Sequence, residues 1–100
     1  MPENPLATLI KLDPVYMEEF RKMEDLVYSD GALPKKIKYL MALAFDAANG
    51  ATNGVAALYR QAMAAGATKQ EIAETLRVAA QLGGEGSLFT ASQALKGIVG

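Results

Sequence analysis

Apolar residues recur at helical spacing along most of this chain, and proline, glycine or a capping side chain separates each run from the next. Asp13 followed by Pro14 marks the first start. The carboxylate can accept from free backbone N–H groups, and proline in the first turn gives up no needed donor. Tyr16, Phe20, Met23 and Val27 then share one face, with Glu18, Glu19, Arg21 and Lys22 on the others, until the turn residues Ser29, Asp30 and Gly31. A second helix opens at Leu33-Pro34 and carries Ile37, Leu40, Met41, Ala44 and Ala48 as its stripe before the Asn49-Gly50 break. After a short polar connection, Thr52 or Asn53 is the expected N-cap of a third helix that runs to about Ala65, with Val55, Leu58, Ala62 and Met63 inward.

Gly66 suits a left-handed helix end, and Thr68 with Glu71 has the spacing of a capping box for a fourth helix. Ile72, Leu76, Ala79 and Ala80 form its inner side, and Gly83-Gly84 closes it. A fifth helix is expected from Glu85 to Ile98, burying Leu88, Phe89, Leu95 and Ile98. The first 13 residues, with two prolines and mixed polarity, read as an arm lying on the domain. No hairpin signal appears. The pattern predicts an all-α fold, a compact bundle of about five helices in one domain over residues 1–100, with the second to fourth helices antiparallel because their loops are short.

Composition narrows the chemistry. The chain contains neither cysteine nor histidine, so disulfides, thiolate metal sites, thiol redox chemistry and an imidazole base are all excluded within it. Ten basic and eleven acidic residues nearly cancel, which leaves no strong field for nucleic acid or anionic lipid. No apolar run approaches the roughly 20 residues that span a bilayer, and residues 1–8 lack the features of a signal peptide, so a cytoplasmic location is expected. Apolar residues make up 51% of the chain, many of them alanine, and this surplus favours self-association.

Three stretches taken together carry a resemblance. They are Ala32-Leu33-Pro34-Lys35-Lys36-Ile37-Lys38, Ala65-Gly66-Ala67-Thr68-Lys69-Gln70-Glu71-Ile72 and Val78-Ala79-Ala80-Gln81-Leu82-Gly83-Gly84. In order and spacing the run from Ala32 to Ala94 resembles the carboxymuconolactone decarboxylase family, which includes the alkylhydroperoxidase D-like proteins. The resemblance implies an alkylhydroperoxidase D-like helical domain that assembles as trimers or hexamers, with a site between the second and third predicted helices. In the peroxidase-like branch that site holds a glutamate, two cysteines at a helix start and a histidine one turn further on. An ungapped match puts those roles at Tyr39, Ala51, Gly54 and Leu58, so none of the four side chains is kept. Thiols at a helix start gain thiolate character from the positive end of the helix, and alanine and glycine have nothing to ionise there. The decarboxylase branch carries a histidine on the third helix, near Leu58, and that is missing too.

The polar residues around these positions have ordinary explanations beside functional ones. Tyr39 can donate to a ligand or fill the vacated space; with an unperturbed pKa of about 10 it is a poor base. Asp46 and Asn49 read either as a polar pocket wall or as a solvated helix end. Glu85, between two glycines, can accept a ligand amine or favour the positive end of the fifth helix. Tyr59 and Arg60 point away from Leu58 around the third helix. No pair of carboxylates lies at helical spacing in an apolar interior, so no metal is expected, and no motif indicates a cofactor.

The candidate pocket is therefore Tyr39, Ala51, Gly54, Leu58, Asp46 and Glu85. The expected function is a family scaffold without thiol peroxidase chemistry, serving as a homo-oligomeric small-molecule binding or assembly module. Two alternatives stand beside it. One is an enzyme on the same scaffold, acting on a lactone or small acid with Tyr39 and Glu85 or Asp46 as proton carriers, or keeping residual peroxiredoxin-family oxidoreductase activity. The other is a structural subunit that pairs with an active paralogue.

Overall fold

A computed structural model describes Asn4 and residues 6–99, and the expected single domain and N-terminal arm extend beyond them at residues 1–3, 5 and 100. Among the described residues the fold is all-helical: α1 (Ala7–Leu12), α2 (Pro14–Val27), α3 (Lys35–Ala48), α4 (Thr52–Ala64), α5 (Lys69–Gly83) and α6 (Gly86–Leu95). The sixth helix is α1, a short segment in the expected arm that no periodicity announced.

Local chemistry sets most of the boundaries. The Asp13 carboxylate accepts from the Tyr16 N–H at 3.1 Å, and Pro14 takes the first position of α2. Thr68 and Glu71 form the full capping box of α5: the Thr68 hydroxyl accepts from the Glu71 N–H at 3.1 Å, and the Glu71 carboxylate accepts from the Thr68 N–H at 2.9 Å. Its second oxygen accepts from Lys36 Nζ at 3.0 Å, which ties α5 to α3. Gly66 and Gly84 end α4 and α5 with φ of 101° and 89°, a region where a Cβ is strained.

Two starts differ from the sequence expectation. The N-cap of α4 is Ala51 with no capping side chain, and Thr52 and Asn53 lie inside the helix. At α3, Pro34 is the extended cap residue, and Asp30, which reads in sequence as a turn residue, reaches forward to accept the Lys35 N–H at 2.7 Å.

Helices α3 to α6 form the body, with α3 packed on α4, α5 and α6, and α6 also against α4 and α5. Leu43, Ala47, Val55 and Ala62 are wholly buried at its centre, joined by Leu40, Leu58, Tyr59, Ile72, Ala79, Ala91 and Leu95. Each large aliphatic side chain removed from water there contributes about 1.5–3 kcal/mol.

The inward register of three helices departs from the predicted one. In α3 the buried line is Leu40, Leu43 and Ala47, while Met41 and Ala48 are exposed, because an almost continuous apolar run offers several faces of similar hydrophobicity. In α6, Leu88 and Phe89 point outward, and Ser87 and Ala91 take the inner positions with Leu95. Close approach explains the choice. A Cβ on Gly83 would lie 2.7 Å from the Ala48 Cβ and 3.0 Å from the Ser87 hydroxyl, leaving room only for small side chains, and Ser87 satisfies its hydroxyl on the Ala79 carbonyl at 3.3 Å. In α2 the predicted stripe Tyr16, Phe20, Met23 and Val27 stays exposed, and only Met17 is buried, because α2 packs mainly on the short α1.

Candidate functional site

Asp46 near the end of α3, one face of α4 from Gly54 to Gln61, and α1–α2 enclose a groove of about 880 Å³. Asp46 comes to it from α3, and Gly54, Leu58 and Gln61 come from α4. Met17, Phe20, Glu24 and Tyr28 supply the opposite wall, and Asn4, Leu6 and Ile10 close one end.

Three of the six candidate residues, Asp46, Gly54 and Leu58, thus meet at one site. Leu58 is buried and also belongs to the core, so it forms the apolar floor. Ala51 stands beside the groove as the cap residue of α4, its N–H bonded to the Asp46 carbonyl at 2.8 Å. Tyr39 does not line the groove. Its ring stacks on that of Tyr28, with centroids 4.8 Å apart and an interplanar angle of 21°, so it backs one groove wall and fills space. Glu85 is exposed at the start of α6 and is not part of the groove. Arg60 is exposed and Tyr59 is buried in the core.

The contact between Asp46 and Gly54 defines the chemistry. A Cβ built on Gly54 would collide with the Asp46 carboxylate, so this carboxylate occupies the space a side chain at position 54 would take. Position 54 lies in the first turn of α4, where the resemblance places the second thiol. Partial burial raises the Asp46 pKa above the ordinary aspartate value, and no hydrogen bond among the described residues offsets that desolvation. The Tyr28 phenol is raised as well, first by burial and then by the nearby negative charges of Glu24 and Asp46, so it remains a neutral hydroxyl.

Arg21 is the groove's cation, and Glu18 and Asp25 already hold it at 2.8 and 3.2 Å. No group of three or more metal-ligating side chains occurs among the described residues. Tyr28, Glu24 and Gln61 were not legible as site residues, because neither spacing nor motif in one helix reports what a second helix lays across it. The aromatic at the end of α2 was the available hint.

An all-helical body with a groove between its first two long helices and an added helical layer defines a small helical-bundle scaffold. The sequence profile of the carboxymuconolactone decarboxylase family matches residues 14–97, and the chain belongs to that family. An uncharacterised protein of Cupriavidus necator is 32% identical over 89 residues, which span 89% of this chain and 79% of the relative. The crystal structure of an apo carboxymuconolactone decarboxylase family protein from Legionella pneumophila superposes with a TM-score of 0.82 at 34% identity, covering 91% of this chain and 81% of that one. Among the described residues no helix is long and apolar enough to cross a membrane.

Proposed function

We propose that this chain has lost thiol peroxidase chemistry and is a small-molecule binding module that works as a homo-oligomer. The observation that carries the reading is the Asp46 carboxylate seated on Gly54, at the wall of an open groove. Thiol-dependent peroxide reduction needs a cysteine whose sulfur is oxidised and then reduced again, and the chain has no cysteine to begin the cycle. What remains is a concave surface that sets apolar side chains such as Met17, Phe20 and Leu58 beside the polar groups of Asp46, Glu24, Tyr28 and Gln61, a make-up that suits a ligand site. Incubated with hydrogen peroxide and a dithiol reductant, the purified protein is expected to consume no peroxide beyond the protein-free blank; turnover would overturn the reading.

The assembly half of the proposal rests on the outer face. Val27, Leu33, Met41 and Phe45 are each about half or more exposed and border one shallow depression of about 310 Å³. Contiguous apolar surface of this kind marks an association site. Sedimentation velocity is expected to show a trimer or hexamer that Phe45→Asp dissociates. A wild-type monomer at micromolar concentration would contradict it.

A further inference from the structure

We infer that the groove between α2 and α4 selects a cationic amphiphile, an organic amine with an apolar body, whose ammonium group sits against the Asp46 carboxylate. This rests on the binding reading above and names the class of ligand. Three features of the groove carry it.

The first is charge. Glu18, Glu24 and Asp46 bring three carboxylates to the lining against the single guanidinium of Arg21. That guanidinium donates to Glu18 and to Asp25, so its charge is already matched. An acid entering the groove would meet Asp46 and Glu24 with no free cation to receive it, and like charges at short range repel. An amine meets the reverse field.

The second is the state of Asp46. It accepts no hydrogen bond from the described residues, and the absence of a side chain at Gly54 makes room for it over the first turn of α4. A partly buried carboxylate without a donor is a costly arrangement, and an ammonium supplies both the counter-charge and the donors. The groups that share the groove with it do not supply them: Glu24 is another acceptor, Gly54 and Leu58 have no polar side chain, Arg21 donates to Glu18 and Asp25, and none of the Tyr28 hydroxyl, the Gln61 amide and the Asn4 amide is bonded to it.

The third is the body of the groove. Met17, Phe20 and Leu58 line it with apolar surface, and the Tyr28 ring, held by stacking on Tyr39, stands close to the carboxylate end. An aromatic ring beside a carboxylate is a favourable setting for an ammonium group, which is drawn to the ring face as well as to the charge. The apolar walls then bind the hydrocarbon part.

A matched trio separates these contributions. Phenylbutylamine, phenylbutanol and 5-phenylpentanoate share one phenylbutyl body and differ in head-group charge, and each is titrated calorimetrically into the intact protein at pH 7. Saturable binding of the amine is expected, tighter than that of the acid by about tenfold or more, with the alcohol between them. Asp46→Asn keeps the shape and removes the charge; it is expected to weaken the amine by about tenfold and leave the alcohol unchanged. Gly54→Ala, which displaces the carboxylate, is expected to give the same loss. If the acid or the alcohol binds as tightly as the amine, or if Asp46→Asn leaves the amine affinity unchanged, the cation inference falls while the groove stands as a binding site. If none of the three binds saturably, both the inference and the binding reading fall.

Discussion

Helix α2 carries an apolar stripe at least as regular as those of the body helices α3–α6, yet the two regions meet opposite fates. In the body, Leu43, Val55 and Ala62 lose all contact with solvent, whereas Met23, Val27 and Leu26 of α2 keep half or more of theirs. Amphipathic periodicity reports that a helix needs a partner, not that the partner belongs to the same chain. The body buries one continuous core among α3–α6, although Met41, Phe45 and Phe89 stay on its surface. The α2 layer leaves a groove on one side, and the end of α2 joins α3 in an exposed apolar face; those two unfinished surfaces are where a ligand and a second copy are proposed to bind.

Substitutions in the two regions test that contrast. Leu43→Ala opens a cavity at the centre of the body and is expected to cost about 2–5 kcal/mol in denaturant unfolding. A loss near zero would mean that the body is not tightly packed around α3. Gly83→Ala forces a Cβ against Ala48 and Ser87, and an overpacking cost of about 1–3 kcal/mol is expected in the same measurement. Thr68→Ala removes half of the α5 capping box, for about 1 kcal/mol. Met23→Ala on the open face of α2 is expected to shift stability by less than about 0.5 kcal/mol in a chain kept dilute enough to be monomeric. A cost above about 2 kcal/mol under those conditions would show that the α2 face is buried after all, and the contrast would be gone.

The two regions also differ in how they respond to pH. Glu71, in the body, is lowered by the Lys36 ammonium and then by the Thr68 backbone N–H. Its contribution is present above the unfolded-state value and is lost as pH falls through the lower folded one. Asp46, in the groove, is raised by desolvation, so the sign is reversed. The folded state favours its protonated form, and that advantage, complete below the unfolded-state value, disappears as pH rises through the folded one. Asp46→Asn is therefore expected to raise the melting temperature at pH 7, while Glu71→Gln lowers it. A fall with Asp46→Asn would mean that the carboxylate has a donor in the folded protein.

The legible parts of the fold were those fixed by a few neighbouring residues. Asp13-Pro14, Gly66, the Thr68–Glu71 box and Gly84 each determine a helix end through local bonds or φ, and they stand where the spacing placed them. Registers in α3 and α6 were not legible, since the choice between Leu43 and Met41, or between Ser87 and Phe89, depends on how closely another helix approaches. The same limit applies to the site. Asp46, Gly54 and Leu58 were named from sequence and do share the groove, but the carboxylate lying on the glycine, and Tyr28 stacking on Tyr39, exist only once α3 meets its neighbours.

That carboxylate on the vacant glycine is the feature on which the proposed function turns, and nuclear magnetic resonance reads it directly. As pH is varied, the Asp46 carboxyl carbon is expected to titrate above the ordinary aspartate value of about 3.9, with the Gly54 amide following the same midpoint because the carboxylate lies against it. A midpoint at or below the ordinary value, or a Gly54 amide indifferent to it, would contradict the placement of a partly desolvated Asp46 carboxylate against Gly54.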